Sequence, residues 1–138
     1  MELNKVLRKV LVVALLTCST FCMAKKQDLS RLITAIATIE SKLNEKAVSR
    51  DCVGYLQIRP CVVQECNNIL KQQKSNKRYK LNDRFSKKKS IEMFYLIQNK
   101  FNPTSNIKKA ICIWNAGPYS KKKPLGYIRK VMDEYNKQ

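Results

Sequence analysis

The chain has 138 residues, with 28 Lys or Arg against 10 Asp or Glu, a formal charge of +18, and no His. One domain is the expectation at this length, and the missing His excludes His-based triads, His metal sites and imidazole switching. A hydrophobic fraction of 44% supports one core and argues against wholesale disorder, while only three Gly argue against a Gly-rich nucleotide fold.

Residues 1–9 carry Lys5, Arg8 and Lys9, and the apolar run Val10 to Leu16 follows. Small and mildly polar residues then lead to Cys22-Met23-Ala24. This is the layout of a secretory signal over residues 1–24, shorter than a bilayer span needs. An anchor retained through Cys18 and a buried helix are the alternatives. Setting this segment aside removes three basic residues and one acid, so residues 25–138 keep a charge of +16.

Four cysteines remain, Cys52, Cys61, Cys66 and Cys112. An even number in a small exported domain suggests two disulfides, with Cys52 joined to Cys61 or Cys66 and Cys112 to the other. Four free thiols are the alternative. Paired zinc-knuckle spacing is missing, so no metal is expected.

Helix one is expected over Asp28 to Leu43, capped by Asp28 or Ser30. Leu29, Leu32, Ile33, Ile36, Ile39 and Leu43 fall within an arc of roughly 120° on its wheel. A polar loop, Asn44 to Asp51, precedes a short extended segment near residues 53–59. Helix two is expected from Pro60 to Lys71, with Val62, Val63, Cys66, Ile69 and Leu70 inward. Residues 71–89 are polar, with nine Lys or Arg in nineteen. Helix three, Ser86 to Lys100, offers Ile91, Phe94 and Tyr95, with Phe101 just beyond, as anchors. Helix four starts at Thr104 or Ser105, carries Ile107, Ala110, Ile111 and Trp114, and stops at Gly117-Pro118. Helix five, Leu125 to Tyr135, presents Tyr127, Ile128, Val131, Met132 and Tyr135. The fold class is therefore mostly α, with at most a small hairpin or extended piece.

Glu40 is the informative residue. Its wheel position lies between Ile36 and Ile33, inside the apolar arc. A carboxylate there is desolvated, and the helix C-terminus disfavours its charge as well. Both effects raise its pKa and suit it to donate a proton near neutral pH. The bland alternative is a Glu at the stripe's edge, reaching solvent or pairing with a Lys.

The neighbouring motifs extend this reading. Glu40-Ser41 ends the first helix, and Gly54-Tyr55-Leu56-Gln57 follows a loop. Trp114-Asn115-Ala116-Gly117-Pro118 comes later, and Tyr127 stands on the last helix. In order and spacing the layout resembles the lysozyme-like soluble lytic transglycosylases, including a compact type found in phage and mobile elements. The resemblance covers about residues 29–132. Tyr55-Leu56 stands where the family has Leu-Met, and Trp114 where it usually has Tyr.

What the resemblance implies is a lysozyme-like α(+β) domain over residues 25–138. Glu40 is implied as the sole catalytic acid and then base. Ser41 orients a carboxylate or a substrate amide, Tyr55 belongs to the apolar wall, and Gln57 bonds an N-acetyl or peptide group. Trp114 is a candidate sugar platform, Asn115 contacts sugar or fixes the floor, and Tyr127 points its hydroxyl at Glu40. The implied reaction cleaves the β-1,4 bond between N-acetylmuramic acid and N-acetylglucosamine and closes a 1,6-anhydro ring. Hydrolysis with Asp51 as water-activating base, Glu45 being the weaker choice, is the runner-up. A non-catalytic wall binder of the same shape is a third reading.

No cofactor is expected. The expected partner is the peptidoglycan strand, met by an exported monomer in the periplasm or at the cell wall, without stable membrane insertion. The positive charge would draw the chain toward anionic wall polymers. Charge alone also suggests nucleic acid, but 21 Lys against 7 Arg and the missing recognition motif argue against that partner.

Overall fold

The computed structural model describes residues 29–138. The segment read as a signal, with Cys18, Cys22 and the proposed Asp28 cap, lies outside the described residues. The compact unit Arg31–Gln138 holds nearly all that is described.

Helix α1 occupies residues 29–41. Leu32, Ile33, Ala35, Ile36 and Ala37 are all at most 3% exposed. At 100° per residue they cover an arc of about 200°. That is wider than the six large apolar residues suggest, because Ala35 and Ala37 are also enclosed. The helix stops two residues before the expected Leu43. Lys42 and Leu43 both take positive φ, 53° and 66°, and their amides turn back to Thr38 and Ala37 carbonyls. Ile39 and Leu43 consequently face outward, at 37% and 49% exposure.

The chain then forms an antiparallel hairpin, β1 (Val48–Ser49) and β2 (Cys52–Val53), with Val48 opposite Val53 and Ser49 opposite Cys52. The extended piece expected near residues 53–59 is in fact a tight turn. Val53 bridges Ile58, and residues 54–57 loop between them. Gly54 makes the turn possible. Its φ is +80°, and a Cβ there would lie 1.9 Å from the Arg84 carbonyl oxygen. Only glycine meets both demands.

Helix α2 (Pro60–Gln72) begins on a proline and buries Val63, Cys66, Ile69 and Leu70. The basic stretch after it is ordered by a few polar anchors. Asn67 exchanges two hydrogen bonds with the backbone of Tyr79, and Tyr79 is buried. A short 3-10 turn, Leu81–Phe85, follows. From it Arg84 donates to the carbonyls of Asp51 and Ile58, which ties the turn to the hairpin.

Helix α3 (Lys87–Phe101) is capped by Ser86, and helix α4 (Ile107–Ala116) by Asn106 rather than by Thr104 or Ser105. The stripe buried on α3 is Ser90, Met93, Phe94, Ile97 and Gln98. Of the expected anchors only Phe94 belongs to it. The polar members are satisfied: Ser90 donates to the Arg84 carbonyl and Gln98 to the Ala110 carbonyl. Helix α5 (Leu125–Lys137) buries Val131. Helices α2 and α3, α3 and α4, and α4 and α5 pack pairwise.

All four described cysteines are free, so the two-disulfide expectation is not met. Cys66 shows why for its own position. It is buried in the core with its thiol toward the Met93 carbonyl, and burial pushes that thiol up to about 12.

Candidate active site

A cavity of about 330 Å³ opens beside the C-terminal end of α1. That volume is at the low end for small-ligand sites. Glu40 enters it from α1 and Gln57, Ile58 and Arg59 from the turn. Residues 113–119, the end of α4 and the loop beyond, line it as well. Residues from α2 and α3 complete it.

Glu40 is half-buried. Burial raises its pKa above the ordinary carboxylate value, and this outweighs two opposing influences, the Tyr127 hydroxyl and the charge of Arg59. The Tyr127 hydroxyl donates to Oε1 of Glu40 at 2.5 Å. Tyr127 is itself pushed well above the usual phenol range, first by burial and then by Glu40. It therefore remains a donor across the working range of proteins. With Oε1 held, Oε2 is the oxygen left to carry a transferable proton.

Gln57 lines the cavity in a left-handed conformation, φ 49°. Its Nε2 donates to the carbonyls of Ala47 and Gly54, at 3.2 and 3.0 Å. Both amide hydrogens thus brace the turn, which leaves Oε1 as the atom to meet a ligand. Trp114 lines the cavity while its indole donates to the Leu56 carbonyl at 3.3 Å and its ring stacks at a tilt on Phe94. Asn115 also lines it, one residue before α4 ends. Gly117 ends that helix with φ 89° and ψ 157°, a conformation essentially restricted to glycine.

Two expected substrate contacts sit elsewhere. Ser41 is buried beneath the wall, its hydroxyl 3.1 Å from the Ala37 carbonyl and 2.8 Å from that of Tyr55. It pins the turn to the end of α1. Tyr55 is 4% exposed, and Lys87 Nζ lies 4.8 Å from its ring centre. It packs behind the turn rather than along the cavity. Asp51, the expected base for hydrolysis, is exposed in the hairpin, and Glu45 is exposed and accepts from the Lys87 amide. Neither lines the cavity.

The structure adds residues that periodicity did not single out. Arg59 lines the cavity on the Glu40 side. Glu65 faces in from α2, and Tyr119 from the loop after Gly117. Cys52 and Cys61 also border the cavity. Glu65 was legible only as the single acid on helix two of a strongly basic chain.

A mostly helical domain with a two-stranded hairpin, holding a half-buried Glu of raised pKa at the end of an enclosed helix, is the lysozyme-like α(+β) arrangement. The family model for the transglycosylase SLT domain matches residues 17–136. The chain belongs to that family, and its function is of the lytic-transglycosylase type directed at peptidoglycan. That places its work at the cell wall; among the described residues no helix is long and apolar enough to cross a membrane. The match begins within the segment read as a signal. No curated protein and no solved structure matches the chain.

Proposed function

We propose that the protein is a lytic transglycosylase that cleaves the β-1,4 bond between N-acetylmuramic acid and N-acetylglucosamine, with Glu40 as its single acid and base. The observation that carries this reading is Glu40 itself. It is half-buried on the cavity wall, its proton favoured by burial, and one of its oxygens is held by Tyr127.

Neutral Glu40 gives its proton to the glycosidic oxygen as the bond to the muramoyl C1 breaks. The substrate's acetamido group stabilises the positive centre. The muramoyl C6 hydroxyl then attacks C1, and its proton goes to ionised Glu40, which restores the starting acid. No water is consumed, and the muramoyl product carries a 1,6-anhydro ring. Tyr127 and Arg59 both favour the ionised form of Glu40, so they ease the first transfer. Burial favours the neutral form and eases the second.

Around Glu40, the free Oε1 of Gln57 accepts from a substrate amide, Trp114 offers an aromatic surface, and Asn115 lies within the same wall. Ser41 and Tyr55 act through the turn they hold. The site of action is a periplasmic or external cell wall, reached by export, and the protein works as a monomer. Asp51 is exposed and outside the cavity, which argues against it as the water-activating base. A two-carboxylate hydrolysis needs a second acid across the bond, and among the described residues the other acid on the cavity lining is Glu65, so product mass decides between ring closure and hydrolysis.

Mass spectrometry of peptidoglycan digested by the wild type and by Glu40→Gln tests the proposal. Anhydro muropeptides from the wild type alone support it. Products heavier by one water would replace ring closure by hydrolysis, and undiminished release by Glu40→Gln would end the assignment of Glu40.

A further inference from the structure

Residues 29–138 hold eight Asp or Glu against 23 Lys or Arg. In such a chain an acid has many possible partners. Asp83, Glu92 and Glu134 take them, each in an ion pair with a Lys. Glu65, like Glu40, Glu45, Asp51 and Asp133, is in none of the ion pairs found among the described residues. It faces the cavity instead.

Its setting is specific. On α2, Cys61, Val62 and Glu65 follow at i, i+1 and i+4, so they share the flank turned toward the cavity. Ile97, Ile113 and Trp114 continue the lining from α3 and α4. Tyr119 stands at the other side, its hydroxyl 3.5 Å from Oε1 of Glu65 and its ring edge-on to Phe101 at 5.4 Å. That contact is at the outer limit of a hydrogen bond, so most of the carboxylate's acceptor capacity is available. Arg59 lies six residues earlier, about 9 Å along the helix axis. It makes no ion pair with Glu65 among those found in the described residues.

An apolar strip that ends in a carboxylate and a phenol oxygen matches one kind of ligand group. That group is a primary ammonium carried on a short alkyl stem, with methylenes along the strip and charge at the tip. Resting on the transglycosylase reading above, we propose that Glu65, assisted by Tyr119, binds a primary ammonium group of the peptidoglycan strand and so sets which strands are preferred. Two sources carry a primary ammonium: the side-chain amine of an uncrosslinked diamino acid in a stem peptide, which has the methylene stem, and the amine of an N-deacetylated glucosamine, which is borne directly on the ring and supplies the charge alone. A crosslinked or acetylated amine has lost its charge and is not held.

The test uses strands in three forms. One carries stems with free amines, the second is the same material after N-acetylation, and the third has its stems removed and its glucosamine N-deacetylated. Muropeptide release gives kcat/KM for the wild type and for Glu65→Gln. Equilibrium binding to the same strands is measured with Glu40→Gln and with Glu40→Gln/Glu65→Gln. We expect the free-amine strands to be favoured over the acetylated ones by about fivefold in both readouts, the effect of a partly exposed ion pair. Glu65→Gln brings that ratio to about one, and Tyr119→Phe reduces it partly. An advantage shared by the third strand assigns the amine to the sugar; an advantage confined to the first assigns it to the stem. A wild-type ratio of one in both readouts overturns the proposal, as does a ratio that survives Glu65→Gln. Amine-dependent binding without any cleavage would sink the transglycosylase reading and leave this site standing, whereas anhydro products formed without amine preference would do the reverse.

Discussion

Glu40 and Glu92 each accept a hydrogen bond of 3.2 Å or less from a tyrosine, and they behave in opposite ways. Glu40 accepts from Tyr127 at 2.5 Å and its pKa is raised. Glu92 accepts from Tyr79 at 3.2 Å and its pKa is lowered. In both cases the phenol pulls downward, so the tyrosine is not the source of the difference. Glu92 stands near the surface with Lys77 Nζ at 2.6 Å, and that contact dominates. Glu40 is screened from water, and the cation acting on it, Arg59, exerts the smallest of the three influences. A raised carboxyl pKa is made by burial and by the weakness of nearby cations, and the tyrosine aims the acid while pulling its pKa part of the way back.

The largest expected effect breaks the comparison at its centre. Glu40→Gln should lower muropeptide release about 10²- to 10⁴-fold, the usual worth of a positioned proton donor. Glu92→Gln should leave release within about twofold of the wild type in the same assay. A large loss in both would mean that the effect follows folding rather than proton transfer. Circular dichroism on each variant separates the two.

Next in size are the tyrosines. Tyr127→Phe should cost about tenfold in kcat/KM, the value of one positioned hydrogen bond. It should also move the pH profile, because the lost bond lowered the pKa of Glu40. The limb on which Glu40 must be protonated then shifts to higher pH. Tyr79→Phe should shift nothing in that profile. Tyr127→Phe with a lower rate and an unmoved limb would make Tyr127 a packing residue only.

The sequence made the acid of this pair visible and left much of its surroundings hidden. Glu40 could be placed because a helix wheel converts residue number into direction, and the apolar residues on either side marked that direction as dry. Helices α2, α4 and α5 were legible for the same reason. The face of α3 was not, because Ser90 and Gln98 are buried against carbonyls supplied by Arg84 and Ala110, from the 3-10 turn and α4. Residues 54–57 read as extended because nothing local announces a Gln in the left-handed region; that conformation is imposed by the Val53–Ile58 bridge and by the close approach of Arg84 to Gly54. Ser41 and Tyr55 were misplaced through the same turn. Glu65 and Tyr119 are 54 residues apart and meet only once the helices are assembled.

Stability against pH should separate the glutamates by sign. The raised pKa of Glu40 means that its contribution is fully present below the ordinary value of 4.5 and is lost as pH rises through the raised value. Relative to wild type, Glu40→Gln should therefore gain in Tm as pH climbs through that window. The lowered pKa of Glu92 works the other way, with a contribution present above 4.5 and lost as pH falls through the depressed value. Glu92→Gln should thus be less stable than wild type at neutral pH, and the gap should close in acid. Each difference should be at most a few degrees for such partly exposed groups. Thermal melts between pH 3 and pH 8 read both, and two curves of the same sign would contradict the contrast.

The smallest effect concerns Arg59, the cation that makes Glu40 less unlike Glu92 than it could be. Arg59 is exposed and lowers the pKa of Glu40 by charge alone. Arg59→Gln should move the protonation limb of the activity profile toward higher pH, in the same direction as Tyr127→Phe but by less. The rate at the optimum should change by about twofold, as for a solvent-screened charge. Salt distinguishes this from a role in holding substrate. If Arg59 acts through space on Glu40, raising the ionic strength shifts the wild-type limb toward that of Arg59→Gln and leaves the variant still. A variant whose KM rises while its limb stays in place would instead make Arg59 a ligand for an anionic group of the strand, and the pKa of Glu40 would then be a matter of burial and Tyr127 alone.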